Sequence, residues 1–198
     1  MDWRLYDWVN HFVAQHSWLG RAFQGLETYG TVLIAVAAAL LWLGSRPGGD
    51  RKWKLASGSA LAAAAVALLV NRLITTAWDR DRPYETHHVA HVWGPHKSDP
   101  SFPSDHASAS VAIAAAVLLF DPLAGVLFAI LAVLITVGRV IVGEHYPGDV
   151  LAGALVGTVS ALGVVLFGRT VILAIARLVE RVTDPLVKPF WRKRVTGS

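Results

Sequence analysis

PSFPSDHASASVAIAAAVLLF, residues 100–120, sets ionisable side chains directly before a long apolar run. The 14 residues 107–120 carry no charge, and the apolar character extends backwards through Phe102. A membrane-spanning helix needs about 17 to 25 mostly apolar residues, so this run approaches the length of a span. The imidazole of His106 at its entrance indicates a function, because ionisable groups near membrane depth are costly to keep there.

The composition of the 198 residues is typical of a membrane protein. The apolar fraction is 54% and the charged fraction is 16%, which argues against a soluble globule. The absence of cysteine excludes disulfides and thiolate metal sites. The formal charge of +4 comes without a basic face interleaved with aromatic residues, so nucleic acid is not expected as a partner. We expect residues 1–198 to form a single integral membrane domain.

Four further stretches without charge approach the length of a span, at residues 28–45, 55–71, 122–138 and 150–168. Backbone polar groups in lipid must be satisfied internally, and helices achieve this. The sequence therefore predicts an all-α, polytopic bundle with five transmembrane helices. Gly153 and Gly157, four residues apart, suit close packing between helices.

Basic residues set the expected orientation of the bundle. The connection 46–54 holds four basic residues against one acid, and the segment after Gly168 is also strongly basic, so both should be cytoplasmic. The loop 79–105 holds five acids and three bases, so it should face outward. Five crossings then place the N-terminus outside and the C-terminus inside.

Both ends of the chain are expected at the membrane surface. Residues 1–27 should form an outer amphipathic segment, with a helix over 3–16, and the transmembrane core should cover 28–168. Residues 169–198 read as an interfacial helix followed by a basic tail. A sixth, tilted span within 170–190 stays open as an alternative, because that segment begins apolar.

Unusual polar residues collect at helix ends that should share the outer side. The second helix exits with WDRDRP, the third enters with SFPSDH, and the fourth exits with GRVIVGEHYPGD. Together they supply guanidinium, imidazole and carboxylate groups: Arg80, Arg82, Ser104, Asp105, His106, Arg139, Glu144, His145 and Asp149. Such a group marks a functional site.

These residue types suit the transfer of a phosphoryl group. Two guanidinium groups can hold phosphate oxygens in a forked geometry, and the first amides of a helix that starts beside Ser104 add donors. A neutral histidine can attack phosphorus while a carboxylate on its other nitrogen fixes the tautomer. A second, protonated histidine can supply the leaving oxygen with its proton. No carboxylate cluster has the spacing of metal ligands, so the positive charge is expected from the protein.

Three blocks of the sequence resemble the signature of the type-2 phosphatidic acid phosphatase superfamily, which also includes vanadium haloperoxidases. That signature reads K-x6-R-P, P-S-x-H and S-R-x5-H-x3-D. The second block is PSDH at 103–106, and the third runs from Arg139 through His145 to Asp149. Within the superfamily, HHVAHVWGPHKSDPSFPSDHASAS and GEHYPGDVLAGAL resemble the bacterial undecaprenyl pyrophosphate phosphatases of the bacitracin-resistance type. The resemblance covers residues 29–168.

The resemblance implies a role for each matched residue. His145 would be the nucleophile that forms a phosphohistidine, Asp149 would orient it, and His106 would be the general acid on the leaving group. The transferring phosphoryl group would be bound by Arg82, Arg139 and Ser104. The resemblance also implies a bacterial plasma membrane protein with its active site on the extracytoplasmic face, and no metal or other cofactor.

Two positions depart from the signature. Thr75 stands where the leading lysine is expected, and Gly138 replaces the serine before Arg139. The missing lysine charge could come from Arg80 or Arg72. We expect Arg80 to supply it and to join the phosphate-binding residues, because Arg80 lies next to Arg82 at the helix end.

Several polar residues could also have a structural role in place of a catalytic or binding role. Ser104 is expected to cap a helix and to bind phosphate at once, Asp105 is expected to be a capping or solvated residue, and Glu144 is expected to be solvated. The histidines of the outer loop leave three readings open, namely a metal site, contact with a diphosphate headgroup, and a pH-sensitive lid; they are His87, His88, His91 and His96.

The sequence therefore predicts a membrane phosphatase that hydrolyses undecaprenyl diphosphate, an isoprenoid lipid diphosphate, to undecaprenyl phosphate. One alternative is the same chemistry on phosphatidylglycerol phosphate, phosphatidate or a lipid A phosphate. Another is a non-enzymatic protein that binds or transports anionic lipids. The sequence leaves the oligomeric state open.

Overall fold

The structure, a computed structural model, describes residues 2–45, 47–48 and 51–192, with side chains up to residue 189. All regular structure within these ranges is helical, which confirms the all-α prediction. The helices are α1 Asp2–Gln15, α2 Ser17–Gly44, α3 Lys52–Ala77, α4 Pro83–Thr86, α5 Asp105–Phe120, α6 Pro122–Ile141, α7 Pro147–Phe167 and α8 Arg169–Arg192.

Four of the helices, α2, α3, α6 and α7, are long and apolar enough to cross a membrane. Their outer faces expose large apolar side chains that water would not favour, among them Leu33, Leu69, Leu127 and Leu155. Lipid is the solvent that suits such surfaces. The chain is therefore a multi-pass membrane protein.

Helix α5 has only 16 residues and lies at the centre of the bundle, in contact with α2, α3, α6 and α7. Its residues are apolar or small on every side, and Ala107, Ala112, Ile113, Ala116 and Val117 are buried. A helix that is apolar all round belongs in an interior. Because four longer helices enclose α5, it does not have to reach both edges of the lipid by itself.

Small residues bring α7 close to α5, as the sequence predicts. A Cβ atom on Gly153 would lie 2.6 Å from the carbonyl oxygen of Ser104, and one on Gly157 would meet the main chain of Ser108. The two backbones approach so closely only because these positions lack a side chain. This contact holds the N-terminal half of α7 against the start of α5, close to the signature residues.

Helix α1 packs across the end of the bundle that carries the loop between α3 and α5. The Tyr6 hydroxyl donates to the carbonyl of Gly143 at 3.0 Å, and the Asn10 amide donates to the carbonyl of His91 at 2.5 Å. The following helix α2 begins at Ser17, well before the predicted start of the core at residue 28. Its first turns extend past the apolar run because they pack on the loop, where Gly20 meets Trp93.

Helix α8 lies against the opposite end of the bundle. It contacts α3 and α7: Ile172 meets Gly58, and Glu180 accepts hydrogen bonds from Arg51 and Lys54. Thr183 also accepts a hydrogen bond from Trp42 of α2. The interfacial helix within residues 169–198, and the alternative of a sixth span within 170–190, stay predictions.

Candidate active site

A cavity of about 230 Å³ opens at the α1 end of the bundle. Helices α3, α5 and α6 and the loop 87–104 surround it, so segments far apart in the chain meet there. Its polar lining includes four of the predicted site residues, His106, His145, Arg82 and Arg139, together with Arg72, Lys97, Asp99 and Asp105. Asp149, Ser104 and Arg80 lie behind or beside this lining.

A tight turn between α6 and α7 places His145 at the cavity. The chain reverses at Gly143, whose φ of 86° lies in the left-handed region that favours glycine. The amides of Glu144 and His145 then donate back to the carbonyl of Arg139, at 3.1 and 3.3 Å. Pro147 starts α7 immediately afterwards. This reversal sets the imidazole beside the guanidinium groups.

The imidazole of His145 is oriented by the main chain of Ser101. Its Nδ1 lies 2.9 Å from the Ser101 carbonyl oxygen, which can only accept, so Nδ1 carries the proton. Nε2 therefore holds the lone pair and lies 3.4 Å from Nη1 of Arg82, on the cavity side. Burial lowers the pKa of His145 well below its ordinary value, and the charges of Arg139 and Arg82 lower it further. A lowered pKa favours the neutral ring at neutral pH.

Asp149 supports His145 through Ser101. Its Oδ2 is 3.6 Å from Nδ1 of His145, accepts a hydrogen bond from the Ser101 hydroxyl, and accepts another from the amide of Tyr146 at 2.9 Å. The sequence placed this carboxylate directly on the second nitrogen of the imidazole, but the Ser101 carbonyl occupies that position. The helix start explains the difference, because the bond to Tyr146 ties the carboxylate to the first turn of α7.

Arg80 does not face the cavity, contrary to the expectation that it replaces the missing lysine charge there. Its Nη1 donates to Asp149 at 2.6 Å, its Nη2 donates to Asp2 of α1 at 2.8 Å, and its guanidinium lies 4.0 Å from the ring centre of Tyr146. The two carboxylates draw it to the far side of α7. Arg80 therefore balances the charge of Asp149 and links it to α1.

Arg72 and Lys97 line the cavity where the lysine charge is missing. Thr75 also lines it, and its hydroxyl donates to the carbonyl of Asn71 at 2.8 Å within α3. Arg72 comes from the preceding turn of the same helix, and Lys97 comes from the loop. Of the two residues considered from the sequence, Arg72 is thus the one that reaches the cavity.

Arg82 and Arg139 share one buried carboxylate. Oε2 of Glu144 accepts from Nη1 of Arg82 and from Nη2 of Arg139, both at 2.9 Å, and Asp99 accepts from Nη2 of Arg82 at 2.9 Å. Glu144 is fully buried, so the prediction that it is solvated is wrong. Burial raises its pKa, while the charges of Arg139, Lys97 and Arg82 act in the opposite direction. The turn at Gly143 points this side chain inward, where it holds the two guanidinium groups together.

Glu27 of α2 is a site residue that the sequence reading missed. It is buried, pairs with Nη1 of Arg139, and lies 4.0 Å from Nζ of Lys97. Arg139 is thereby held from both sides, while its Nε has no hydrogen-bond partner among the described residues. A signal was available, because a carboxylate immediately before the apolar run that begins at residue 28 is itself costly near membrane depth.

Ser104 differs from the expectation that its side chain caps α5, whereas Asp105 is exposed, as expected for a solvated residue. The Ser104 side chain makes no capping bond at the start of α5, and its buried hydroxyl has no hydrogen-bond partner among the residues that the structure describes. Its amide donates to the carbonyl of Asp149 at 3.1 Å. Asp105 lines the cavity and accepts a hydrogen bond from the Asn71 amide at 2.7 Å. Ser104 therefore joins the starts of α5 and α7 in this structure.

His106 lies in the first turn of α5 and shares the cavity with His145. Its ring has no hydrogen-bond partner in the part of the chain that the structure covers, so a ring nitrogen is available to a bound group. The arrangement thus offers an imidazole held by the protein and an imidazole free to exchange a proton.

The outer-loop histidines do not converge. Three of the rings lie against different aromatic side chains: His87 on Trp3, His91 on Trp93 and His96 on Tyr84. Within the described ranges, no group of three or more His, Asp or Glu side chains could hold a metal ion. These contacts secure the loop against α1 and the short helix α4.

Comparison with known proteins agrees with the geometry. A sequence model of the PAP2 superfamily matches residues 56–173. Undecaprenyl-diphosphatase BcrC of Bacillus subtilis (strain 168) is 28% identical over 193 residues, which are 95% of this chain and 96% of that protein. Decaprenylphosphoryl-5-phosphoribose phosphatase of Mycobacterium tuberculosis (strain CDC 1551 / Oshkosh) is 34% identical over 142 residues, 70% of this chain and 75% of that protein.

The fold has a solved counterpart. The crystal structure of a transmembrane PAP2 type phosphatidylglycerolphosphate phosphatase from Bacillus subtilis superposes with a TM-score of 0.58 and 20% sequence identity. The match covers 84% of this chain and 86% of that one. At this identity the likeness concerns the fold. The family match spans more than half of the chain and includes the cavity residues, so the protein belongs to the PAP2 superfamily and is a multi-pass membrane lipid phosphatase.

Proposed function

We propose that this phosphatase hydrolyses undecaprenyl diphosphate to undecaprenyl phosphate and inorganic phosphate through a phosphohistidine on His145. The observation that carries the proposal is the placement of His145, with its Nδ1 proton held by Ser101 and its Nε2 lone pair beside Arg82. The substrate is suggested by the Bacillus subtilis relative, whose name is undecaprenyl-diphosphatase and which aligns over nearly its full length.

In the first step, Nε2 of His145 attacks the terminal phosphorus. The P–N bond forms as the bond from phosphorus to the bridging oxygen breaks, and the electron pair goes to that oxygen. His106 gives a proton to the departing lipid phosphate, and the negative charge of the bound diphosphate favours the protonated ring that this step requires. Arg82 and Arg139 stabilise the charge on the transferring group, and the unpartnered Nε–H of Arg139 is one donor available for this.

In the second step, water replaces histidine on phosphorus. His106, now neutral, takes a proton from the water as its oxygen attacks, and the P–N bond breaks to release inorganic phosphate. Ser101 keeps Nδ1 protonated throughout, so the same nitrogen of His145 is free for the next cycle. The cationic side chains that line the cavity supply the positive charge that the anionic headgroup requires.

A substrate panel tests the reaction. Phosphate release by the purified protein in detergent with EDTA is compared for undecaprenyl diphosphate, phosphatidylglycerol phosphate, phosphatidate and lipid A. We expect the largest kcat/KM for undecaprenyl diphosphate, no turnover for His145→Asn, and full turnover for His11→Asn, which removes an exposed histidine of α1. A higher kcat/KM for another lipid would refute the substrate, and turnover by His145→Asn would refute the nucleophile.

The site is proposed to face the extracytoplasmic side of a bacterial plasma membrane. The described basic residues Arg51, Lys52 and Lys54, and helix α8 beside them, lie at the end of the bundle opposite the cavity, which supports this orientation under the charge rule for cytoplasmic segments. The chain has no cysteine, so single cysteines report sidedness directly. An impermeant maleimide should label His88→Cys in intact cells and Arg181→Cys only after permeabilisation. The reverse pattern would place the site inside.

A further inference from the structure

We infer that Arg72 binds the phosphate that stays on the lipid, and that this contact makes the cavity selective for lipid diphosphates over lipid monophosphates. The inference rests on the proposed function, because only a diphosphate has a second phosphate to bind. It assigns a substrate-binding role to a residue outside the three sequence blocks.

The other arginines of the cavity are already held by carboxylates. Arg82 pairs with Glu144 and Asp99, and Arg139 pairs with Glu27 and Glu144. Arg72 lines the same cavity, its side chain is exposed, and it has no ion-pair partner in the described part of the chain. An anion that enters the cavity therefore meets an uncompensated charge at Arg72.

The position of Arg72 on α3 points to the part of the substrate that it meets. Thr75, Arg72, Leu68 and Ala64 are spaced by three and four residues, so they form one stripe along the helix. Thr75 and Arg72 line the cavity, Leu68 lines both the cavity and an apolar groove, and Ala64 lines only the groove. The stripe thus leads from the polar site to an apolar surface.

That groove lies between α2, α3 and α5 and has a volume of about 410 Å³. Apolar side chains line it, including Val32, Val36 and Ile113, and Thr31 adds a single hydroxyl. An isoprenoid tail suits this surface, and Leu68 makes it continuous with the catalytic cavity. Along the stripe the catalytic cavity comes first, Arg72 lies next, and the apolar groove follows. A lipid diphosphate has its groups in the same order: the terminal phosphoryl group, the retained phosphate and the apolar tail.

Arg72 then acts on the leaving group. As the bond to the terminal phosphorus breaks, negative charge grows on the bridging oxygen and so on the retained phosphate. A guanidinium beside that phosphate stabilises the transition state more than the bound substrate. With a lipid monophosphate the leaving group is an alcohol that carries no phosphate, so Arg72 has little to stabilise.

A pair of substrates with the same tail tests the inference. We expect Arg72→Gln to lower kcat/KM for farnesyl diphosphate by about 10²-fold and for farnesyl phosphate by about twofold or less. Arg72→Lys should retain part of the preference, because the charge remains while the forked geometry is lost. Arg21→Gln, which removes an exposed arginine near the outer end of α2, should change neither substrate.

The outcomes separate the inference from the proposed function. If the wild type prefers the diphosphate and Arg72→Gln slows both substrates equally, or neither, the selectivity role of Arg72 is refuted while the proposed function stands. If the wild type cleaves farnesyl phosphate and undecaprenyl phosphate but neither diphosphate, the proposed function fails and the inference fails with it. Unchanged thermal unfolding of Arg72→Gln in detergent verifies that the variant is folded.

Discussion

Nδ1 of His145 lies 2.9 Å from the carbonyl oxygen of Ser101 and 3.6 Å from the carboxylate of Asp149. The main chain thus sets the tautomer of the proposed nucleophile, while Asp149 accepts a hydrogen bond from the Ser101 hydroxyl and pairs with Arg80. Ser101, Asp149 and Arg80 therefore support the imidazole of His145 in series, and each of the three side chains can be substituted separately.

Asp149→Asn should lower kcat/KM by about 10²-fold, because it removes a negative charge near the imidazole but leaves the Ser101 carbonyl to fix the tautomer. Ser101→Ala should cost less, since its carbonyl remains. Phosphate release by the two variants, with circular dichroism to verify folding, measures both effects. A loss for Ser101→Ala larger than that for Asp149→Asn would contradict this order.

The protonation of His145 gives a second prediction. Its pKa is lowered in the folded protein, so the ring should stay neutral as pH falls through about 6.5, the ordinary value for histidine. The unfolded chain takes up a proton there, so the contribution of His145 to stability is full above pH 6.5 and declines as pH falls further. In histidine-labelled protein, the NMR signal that His145→Gln removes should not shift between about pH 7.5 and 6. A midpoint near 6.5 would show an exposed or paired ring.

Glu144 is predicted to be essential for stability. Glu144→Ala leaves two buried guanidinium groups without their shared carboxylate, and the loss of one partner from a buried pair costs about 3–5 kcal/mol. Glu144→Gln should cost less, because the amide oxygen still accepts a hydrogen bond. Chemical denaturation in detergent measures the free energy of unfolding. Unchanged stability of the alanine variant would mean that water enters and solvates the pair.

Glu27 is predicted to weaken the binding of product phosphate. It pairs with Arg139, so its charge competes with a bound phosphate for that guanidinium. In Glu27→Gln a neutral amide competes less, and inorganic phosphate should inhibit about tenfold more strongly. Asp79→Asn, which removes an exposed acid on the same side, is the control. Equal inhibition constants for the Glu27 variant and wild type would exclude this competition.

The contact between α5 and α7 supplies a packing prediction. A side chain at Gly157 meets the main chain of Ser108, so Gly157→Val should destabilise the protein by about 1–3 kcal/mol. Gly163 lies on the same helix with open space beside it, so Gly163→Ala should be neutral or slightly stabilising. Thermal unfolding of both variants in detergent measures the difference. Helix propensity favours both substitutions over glycine, so a Gly157→Val variant as stable as wild type would show that the contact with Ser108 does not limit stability.

Much of the fold could be predicted because hydropathy is a property of neighbouring residues. Runs without charge located the spans, and the small residues Gly153 and Gly157 marked the face where α7 meets α5. Hydropathy did not predict the start of α2, since the first turns of that helix pack on a loop and not in lipid. The spacing from Arg139 to His145 could predict that these residues lie together for a similar reason, because it lies within one helix end and one turn.

Only the tertiary structure decided which charged side chains pair with each other. Glu27 and Arg139 are 112 residues apart in the chain, so no local sequence pattern could predict that they pair. The direction of Arg80 depends on Asp2 and Asp149, which reach it from two different helices. The sequence by itself determined which charged residues flank the apolar runs and therefore collect at one end of the bundle. Only the packing of α1, α2 and α7 decided which of them neutralise each other and which, like Arg72, remain available, because Coulomb interactions depend on distance in space.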